Sequence, residues 1–200
     1  GDIARALNLS DDQVRLIVPD SGGGFGGKHV GDAALEAARL SKEVGKPVSL
    51  QWTRDEEFMW AYFRPAGVIA VQAGLDSDGR VSAWDFTNYN SGGSALECPY
   101  TFPNKRVTFR RCESPLREGS YRALAATANN FARESFIDRL AAKLGAEPLA
   151  FRLEYLEDDR LRGVLEAAAE RHGWAIKSST EKVAHGIACG TEKGSYVATC

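Results

Sequence analysis

The segment Asp20-Ser-Gly-Gly-Gly-Phe-Gly-Gly-Lys-His29 places glycine at five of the six positions from 22 to 27. Backbone this bare either turns where side chains cannot follow or passes within contact of a ligand. Phosphate binding is one such chemistry, since Gly22-x-x-x-x-Gly27-Lys28 fits a P-loop behind a predicted strand. That loop needs a Ser or Thr hydroxyl after its lysine to hold Mg²⁺, and His29 stands there. A dinucleotide fingerprint is the second, since Gly22-x-Gly24-x-x-Gly27 fits G-x-G-x-x-G. It wants an acidic residue at the end of the next strand, and Asp55 falls late. It also wants a further crossover helix, where this sequence has a hairpin signal. A turn with no ligand is the third reading, weakened by the entropy that each glycine costs on folding.

Other reactive side chains are sparse. Cysteines stand at 98, 112, 189 and 200 and histidines at 29, 172 and 185, with no metal-clip spacing. No metal held by protein side chains is expected. The cysteines read as free, mostly buried thiols, although Cys98 and Cys112 could pair. Trp52, Trp60, Trp84 and Trp174 read as core or interface aromatics.

Around these groups the patterning predicts mixed strands and helices without regular βαβ alternation, an α+β fold. Arg15–Pro19 reads as a short buried strand before the glycine loop. A helix is expected over His29–Gly45, a strand over Val48–Thr53 and one or two helical turns over Arg54–Trp60. Gly67–Leu75 and Arg80–Asn90 form a predicted hairpin through Asp76-Ser-Asp-Gly79, and Arg106–Arg111 a further strand. After a loop over Glu113–Ala126 come three helices: Asn130–Leu144, one from Pro148 to Tyr155, and one capped by Asp158 or Asp159 and ending near Gly173. His185–Cys189 and Ser195–Cys200 close the chain as strands.

The 200 residues suffice for one or two domains, and 44% apolar with 26% charged residues is ordinary for a globular chain. A formal net charge of -2 gives no basic excess to suggest a nucleic-acid partner. No apolar run approaches the ~20 residues of a transmembrane helix. The chain starts without Met in helical patterning and stops inside a strand pattern, so it is expected to be a piece of a longer one. Exposed apolar surface and self-association are then expected.

Beyond these local readings, Pro19-Asp-Ser-Gly-Gly-Gly-Phe-Gly-Gly-Lys-His29 resembles the G-G-F-G-G-K signature of the molybdenum hydroxylases, the xanthine dehydrogenase and aldehyde oxidase family. Ser114-Pro-Leu-Arg-Glu-Gly-Ser-Tyr-Arg-Ala-Leu124 resembles that family's second molybdenum-site loop. Asn130–Leu140 with Leu144–Leu153 resembles the helix pair after it, and Gly186–Gly190 through Ala198 the entry to the next subdomain. The variant Ser120-Tyr-Arg-Ala-Leu-Ala-Ala-Thr-Ala-Asn-Asn130 is most similar to bacterial isoquinoline or nicotinate oxidoreductase large subunits. The resemblance implies a first molybdopterin-binding subdomain over 1–173 and the start of another over 174–200.

It also implies the chemistry: hydroxylation of N-heterocycles or oxidation of aldehydes with water-derived oxygen. The metal would be held by a pterin, expected in its cytosine dinucleotide form, with 2Fe-2S clusters on a small partner subunit and a cytochrome or flavin subunit as a further partner. Gly24, Phe25, Gly26 and Gly27, with Arg122 and Ala123, would meet the cofactor, largely through backbone. His29 and Leu124 would line the substrate pocket. They replace the glutamate and phenylalanine of xanthine-oxidising members, and no arginine stands in Asn90–Ala95, so xanthine is not expected as substrate. Lys28 is expected to be structural. No catalytic residue is expected in this chain, because the family's general-base glutamate lies downstream in a G-E-x motif. A non-catalytic binding or assembly module reusing this subdomain is the alternative, and a nucleotide-binding domain comes third.

Overall fold

The computed structural model describes all residues except Ser21, Lys28, 177–179 and Glu181. The chain divides into two compact units, one of Gly1–Arg64 with Ser114–Arg122, the other of Pro65–Glu113 with Ala123–Cys200.

The first unit carries helices α1 (Asp2–Leu7), α2 (Asp32–Val44) and α3 (Arg54–Trp60). Helix α2 is built from Ala, Leu, Glu, Arg and Lys, residues that lose little freedom in a helix. It starts at Asp32 rather than His29, with Gly31 as its N-cap, and ends where Gly45 turns left-handed at φ 65°. The Lys42 ammonium donates to the Leu7 carbonyl at 3.2 Å and ties α2 to the end of α1. Thr53 and Glu56 form a capping box that starts α3.

Two expected strands are absent. Arg15–Pro19 and Val48–Thr53 form no strand, and Leu16, Ile17 and Val18 are 62%, 72% and 77% exposed instead of buried. Their β-branched and alternating composition is real, but a strand needs a neighbour to pair with. The named strands all belong to the second unit. Trp60 is likewise exposed rather than in a core, beside exposed Phe58 and Met59.

In the second unit, β1 (Val68–Leu75) and β2 (Val81–Tyr89) form the expected hairpin, registered from Val68 against Tyr89 to Leu75 against Val81. Its turn is closed by Asp76, whose carboxylate accepts the amides of Asp78 at 3.0 Å and Arg80 at 2.8 Å, with Gly79 at φ 78°. Strand β3 (Asn104–Arg110) runs parallel to β2, so the sheet is mixed, in the order β1-β2-β3. Helix α4 (Ala126–Leu144) begins earlier than Asn130 and absorbs the end of the expected loop. Helix α5 (Pro148–Glu154) has Pro148 in its first turn and Glu147 as N-cap, and α6 (Asp159–His172) is capped by Asp158. Strands β4 (Ala188–Glu192) and β5 (Ser195–Thr199) form a separate hairpin, the first of them beginning later than His185.

The core joins β2, the β2–β3 crossover and the three helices through Trp84, Phe86, Tyr100, Phe102, Ile137, Phe151, Leu161 and Leu165. Trp84 stacks on Phe102 at 5.3 Å and meets Phe136 edge-on at 5.6 Å. Beside this apolar mass lie three buried charges, Arg133, Glu134 and Arg152. The Glu134 carboxylate accepts from Tyr100 Oη at 2.9 Å, Arg133 Nε at 3.1 Å and Arg152 Nε at 2.9 Å. It also accepts the Cys189 amide at 3.3 Å. One side chain thus holds α4, α5, the crossover and β4 together. Burial, reinforced by Glu134, pushes the Tyr100 hydroxyl well above the usual phenol range. Burial likewise raises the thiols of Cys98 and Cys189 to about 11. All four cysteines are free, Cys98 and Cys189 buried, Cys112 and Cys200 exposed.

Removing the Glu134 charge would take from two buried guanidiniums the carboxylate they share. Glu134→Gln is expected to lower the unfolding free energy by about 3–5 kcal/mol in urea titrations. The exposed Glu154→Gln should stay within about 0.5 kcal/mol. Equal midpoints for the two would remove the network's structural role. The exposed Leu16–Val18 and Phe58–Trp60 predict concentration-dependent self-association in sedimentation, reduced by Ile17→Lys with Phe58→Asp.

Candidate cofactor site

The glycine loop and the loop Ser114–Arg122 are far apart in sequence, yet the first unit brings them into contact. Gly26 is the reason. It is buried at φ 111°, and a Cβ there would lie 2.6 Å from Tyr121 Cα and 2.8 Å from the Ser120 carbonyl carbon. Only glycine lets the two backbones touch at this point. The buried Tyr62 hydroxyl bridges the carbonyl oxygens of Gly26 and, at 2.9 Å, Ser120. Gly119 leaves room for the ring, since a Cβ on it would sit 2.5 Å from Tyr62 Cγ. Burial raises the Tyr62 hydroxyl's pKa, with Tyr121 adding to the effect, so the bridge is held by a neutral hydroxyl.

The segments on either side of Tyr62 complete the clasp. The Phe63 amide donates to the Arg117 carbonyl at 2.8 Å and the Gly119 amide to the Phe63 carbonyl at 3.0 Å. Arg64 donates to the Arg122 carbonyl at 2.7 Å and lies over the Tyr121 ring. Arg117 grips the Asp32 carboxylate at 2.6 and 2.8 Å, fixing the second loop to the start of α2.

The clasp presents Phe25 and Arg122 side by side. The Arg122 guanidinium lies over the Phe25 ring, 5.2 Å from its centroid. Phe25 itself is 66% exposed and adopts φ 50°, a left-handed conformation that costs a non-glycine residue of order 1–2 kcal/mol. The Gly27 amide returns to the Gly24 carbonyl at 3.0 Å, and the His29 amide bonds the Gly26 carbonyl at 3.2 Å. The His29 residue is exposed. Lys28 lies outside the described residues.

Ala123 and Leu124 belong to the second unit. They are consecutive left-handed residues, φ 64° and 51°, just before α4. The Ala123 carbonyl accepts from Ala126 N at 3.0 Å. The same end of α4 is braced by a buried amide pair: Asn88 donates to Asn129, and Asn129 donates to the carbonyls of Gly92 and Ser94 at 3.1 and 2.9 Å. The Asn90–Ala95 stretch is thus held by amides. Neither Tyr62 nor Asn129 carries a sequence signal of its role, because each acts across a long separation on backbone carbonyls.

The strand that both nucleotide-loop readings require before the glycines is not formed. Among the described residues, no group of three or more His, Cys, Asp or Glu side chains could hold a metal ion. This donor set, strained backbone and glycines rather than ligating side chains, fits a group that brings its own metal ligands.

The family model described as the molybdopterin cofactor-binding domain matches residues 1–156. A nicotinate dehydrogenase subunit from Pseudomonas putida is 32% identical over 197 residues, covering 86% of this chain and 17% of that protein. The aldehyde oxidoreductase molybdenum-binding subunit PaoC of Escherichia coli is 29% identical, covering 94% of this chain and 30% of its own length. The chain therefore spans less than a third of either relative. Among solved structures, the aldehyde oxidoreductase from Desulfovibrio gigas superposes with a TM-score of 0.68 at 22% identity, over 89% of this chain and 23% of that one. Quinoline 2-oxidoreductase from Pseudomonas putida 86 gives 0.66 at 22% identity, over 87% and 27%. The fold is theirs, and the match to the family model across most of the residues, glycine loop and second loop included, makes this chain a member of the molybdopterin cofactor-binding domain family of the molybdenum hydroxylases.

Proposed function

We propose that the chain is part of the catalytic molybdopterin-binding subunit of an oxidoreductase that hydroxylates N-heterocycles or oxidises aldehydes. The observation that carries this reading is the Gly26–Ser120 backbone contact under Tyr62, which holds both loops of the family's signature in one clasp. The cofactor is a molybdenum-pterin, taken here in its cytosine dinucleotide form. The partner is a small 2Fe-2S subunit, with a cytochrome or flavin subunit as a further acceptor. Residues 1–173 form the first cofactor-binding subdomain and 174–200 lead into the next.

When bound, the molybdenum group supplies two-electron redox chemistry and transfer of a water-derived oxygen to an electron-poor carbon. The chain's residues supply shape and orientation. Gly24, Gly26 and Gly27 let the backbone approach without a Cβ, while the exposed Phe25 ring offers an apolar wall. Arg122 holds that ring from one side; in the first unit the strained Phe25 is kept in place by the Tyr62 clasp, and in the second Ala123 and Leu124 by the hydrogen bonds at the start of α4. His29, in the first unit, and Leu124, in the second, are each assigned to the substrate pocket, His29 as a donor to a ring nitrogen or a carboxylate. The proton-abstracting carboxylate is contributed from outside these residues.

Two experiments test the reading. Metal and pterin analysis of the protein purified with its small subunit should give about one molybdenum per catalytic subunit, together with a released pterin nucleotide. Neither, in a host that makes the cofactor, would favour a binding or assembly module. Gly26→Ala should leave a folded protein with molybdenum content reduced to a small fraction, because the clasp must open. Gly31→Ala, with open space around it, should retain full content. Equal content in the two variants would refute the role given to the clasp.

A further inference from the structure

Away from the clasp, the second unit holds two histidines in direct register. His172 Nε2 and His185 Nδ1 are 3.1 Å apart, both part-buried, with ring centroids 5.2 Å apart and planes at 62°. Neither backbone is adrift. His172 closes the last turn of α6, which Gly173 terminates in a left-handed cap. His185 stands two residues before Ile187, which is buried in the core just ahead of β4. Trp174 packs near His172, ring centroids 6.1 Å apart, and its indole N–H is anchored on the Glu147 carboxylate at 2.6 Å.

The geometry points to a transition-metal site at His172 and His185, a bidentate imidazole clip for Zn²⁺, Cu²⁺ or Ni²⁺. Two imidazole nitrogens on one tetrahedral zinc, at about 2.0–2.1 Å each, lie about 3.3 Å from one another. The pair is within a few tenths of an ångström of that bite. The remaining adjustment is a turn of each ring, so that two lone pairs converge on one point instead of sharing a proton. Imidazole selects borderline metals and leaves Mg²⁺ and Ca²⁺ to oxygen ligands. Water would complete the coordination, so the site would be exchangeable. Bound metal would fasten the end of α6 to the strand entry ahead of β4. The site is independent of the pterin chemistry and would stand or fall without it.

The test is calorimetric titration of the purified, chelator-dialysed protein with Zn²⁺, alongside quenching of tryptophan fluorescence by Cu²⁺ or Ni²⁺, since Trp174 is the adjacent reporter. One zinc per chain is expected at this site. His172→Gln and His185→Gln should each weaken it at least tenfold and abolish the zinc-dependent rise in melting temperature. Cys112→Ser and Cys200→Ser, which remove the exposed thiols, should leave both readouts unchanged. Absence of zinc binding, or binding untouched by either histidine substitution, would overturn the inference.

Discussion

A single buried carboxylate organises the second unit. Glu134 sits among two guanidiniums, a phenol and a backbone amide drawn from four different elements. Desolvating three charges is costly, and the cost is recovered only if every partner is in place. Arg152 also donates to the Glu134 and Pro148 carbonyls and pairs with Asp138, while Arg133 reaches the carbonyls of Ala95 and Glu97. Such a network tolerates one arrangement of α4, α5, the crossover and β4. It therefore fixes direction and register where an apolar contact alone would allow sliding. The amide pair at Asn88 and Asn129 does the same at the N-terminal end of α4, beside Ala123 and Leu124.

The first unit solves a different problem with the same logic. Its loops have little apolar content to pack, so they are joined backbone to backbone. Gly26 removes the steric obstacle, and the one Tyr62 hydroxyl proton is shared between the carbonyls of Gly26 and Ser120. The left-handed φ of Phe25 is a cost the clasp sustains. Strain of this kind persists only where the surroundings over-determine the conformation, which is why the glycines and the bulky Phe25 occur together.

What is legible in the sequence is what is local. The cap at Asp158, the glycine stops at 45 and 173 and the Asp76–Gly79 turn all act within a few residues of themselves, whereas the caps at Thr53 and Glu147 emerge only in the structure. The apolar face of α4 is readable from Phe136 onward. Its first turns are not, because their buried face carries Asn129, Arg133 and Glu134 and looks like a solvated one. The parallel pairing of β3 with β2 leaves no local trace. Arg15–Pro19 shows the opposite failure: strand composition without a strand, because pairing is a property of two segments and the sequence of one cannot supply the other.

The candidate site follows the same division. Its glycines are conspicuous because each is a local departure from ordinary composition. The groups that meet Gly26, the Tyr62 hydroxyl and the Ser120 carbonyl, belong to ordinary residues in ordinary positions. A site held by ligating side chains advertises itself through clusters of His, Cys and carboxylates. One held by backbone advertises only its voids, and the side chains that shape those voids are free to be any that fit. The recognisable part of such a site is therefore what is missing from the chain, here the Cβ at Gly26, and the contacts that enforce its absence become visible only once the two loops are brought face to face.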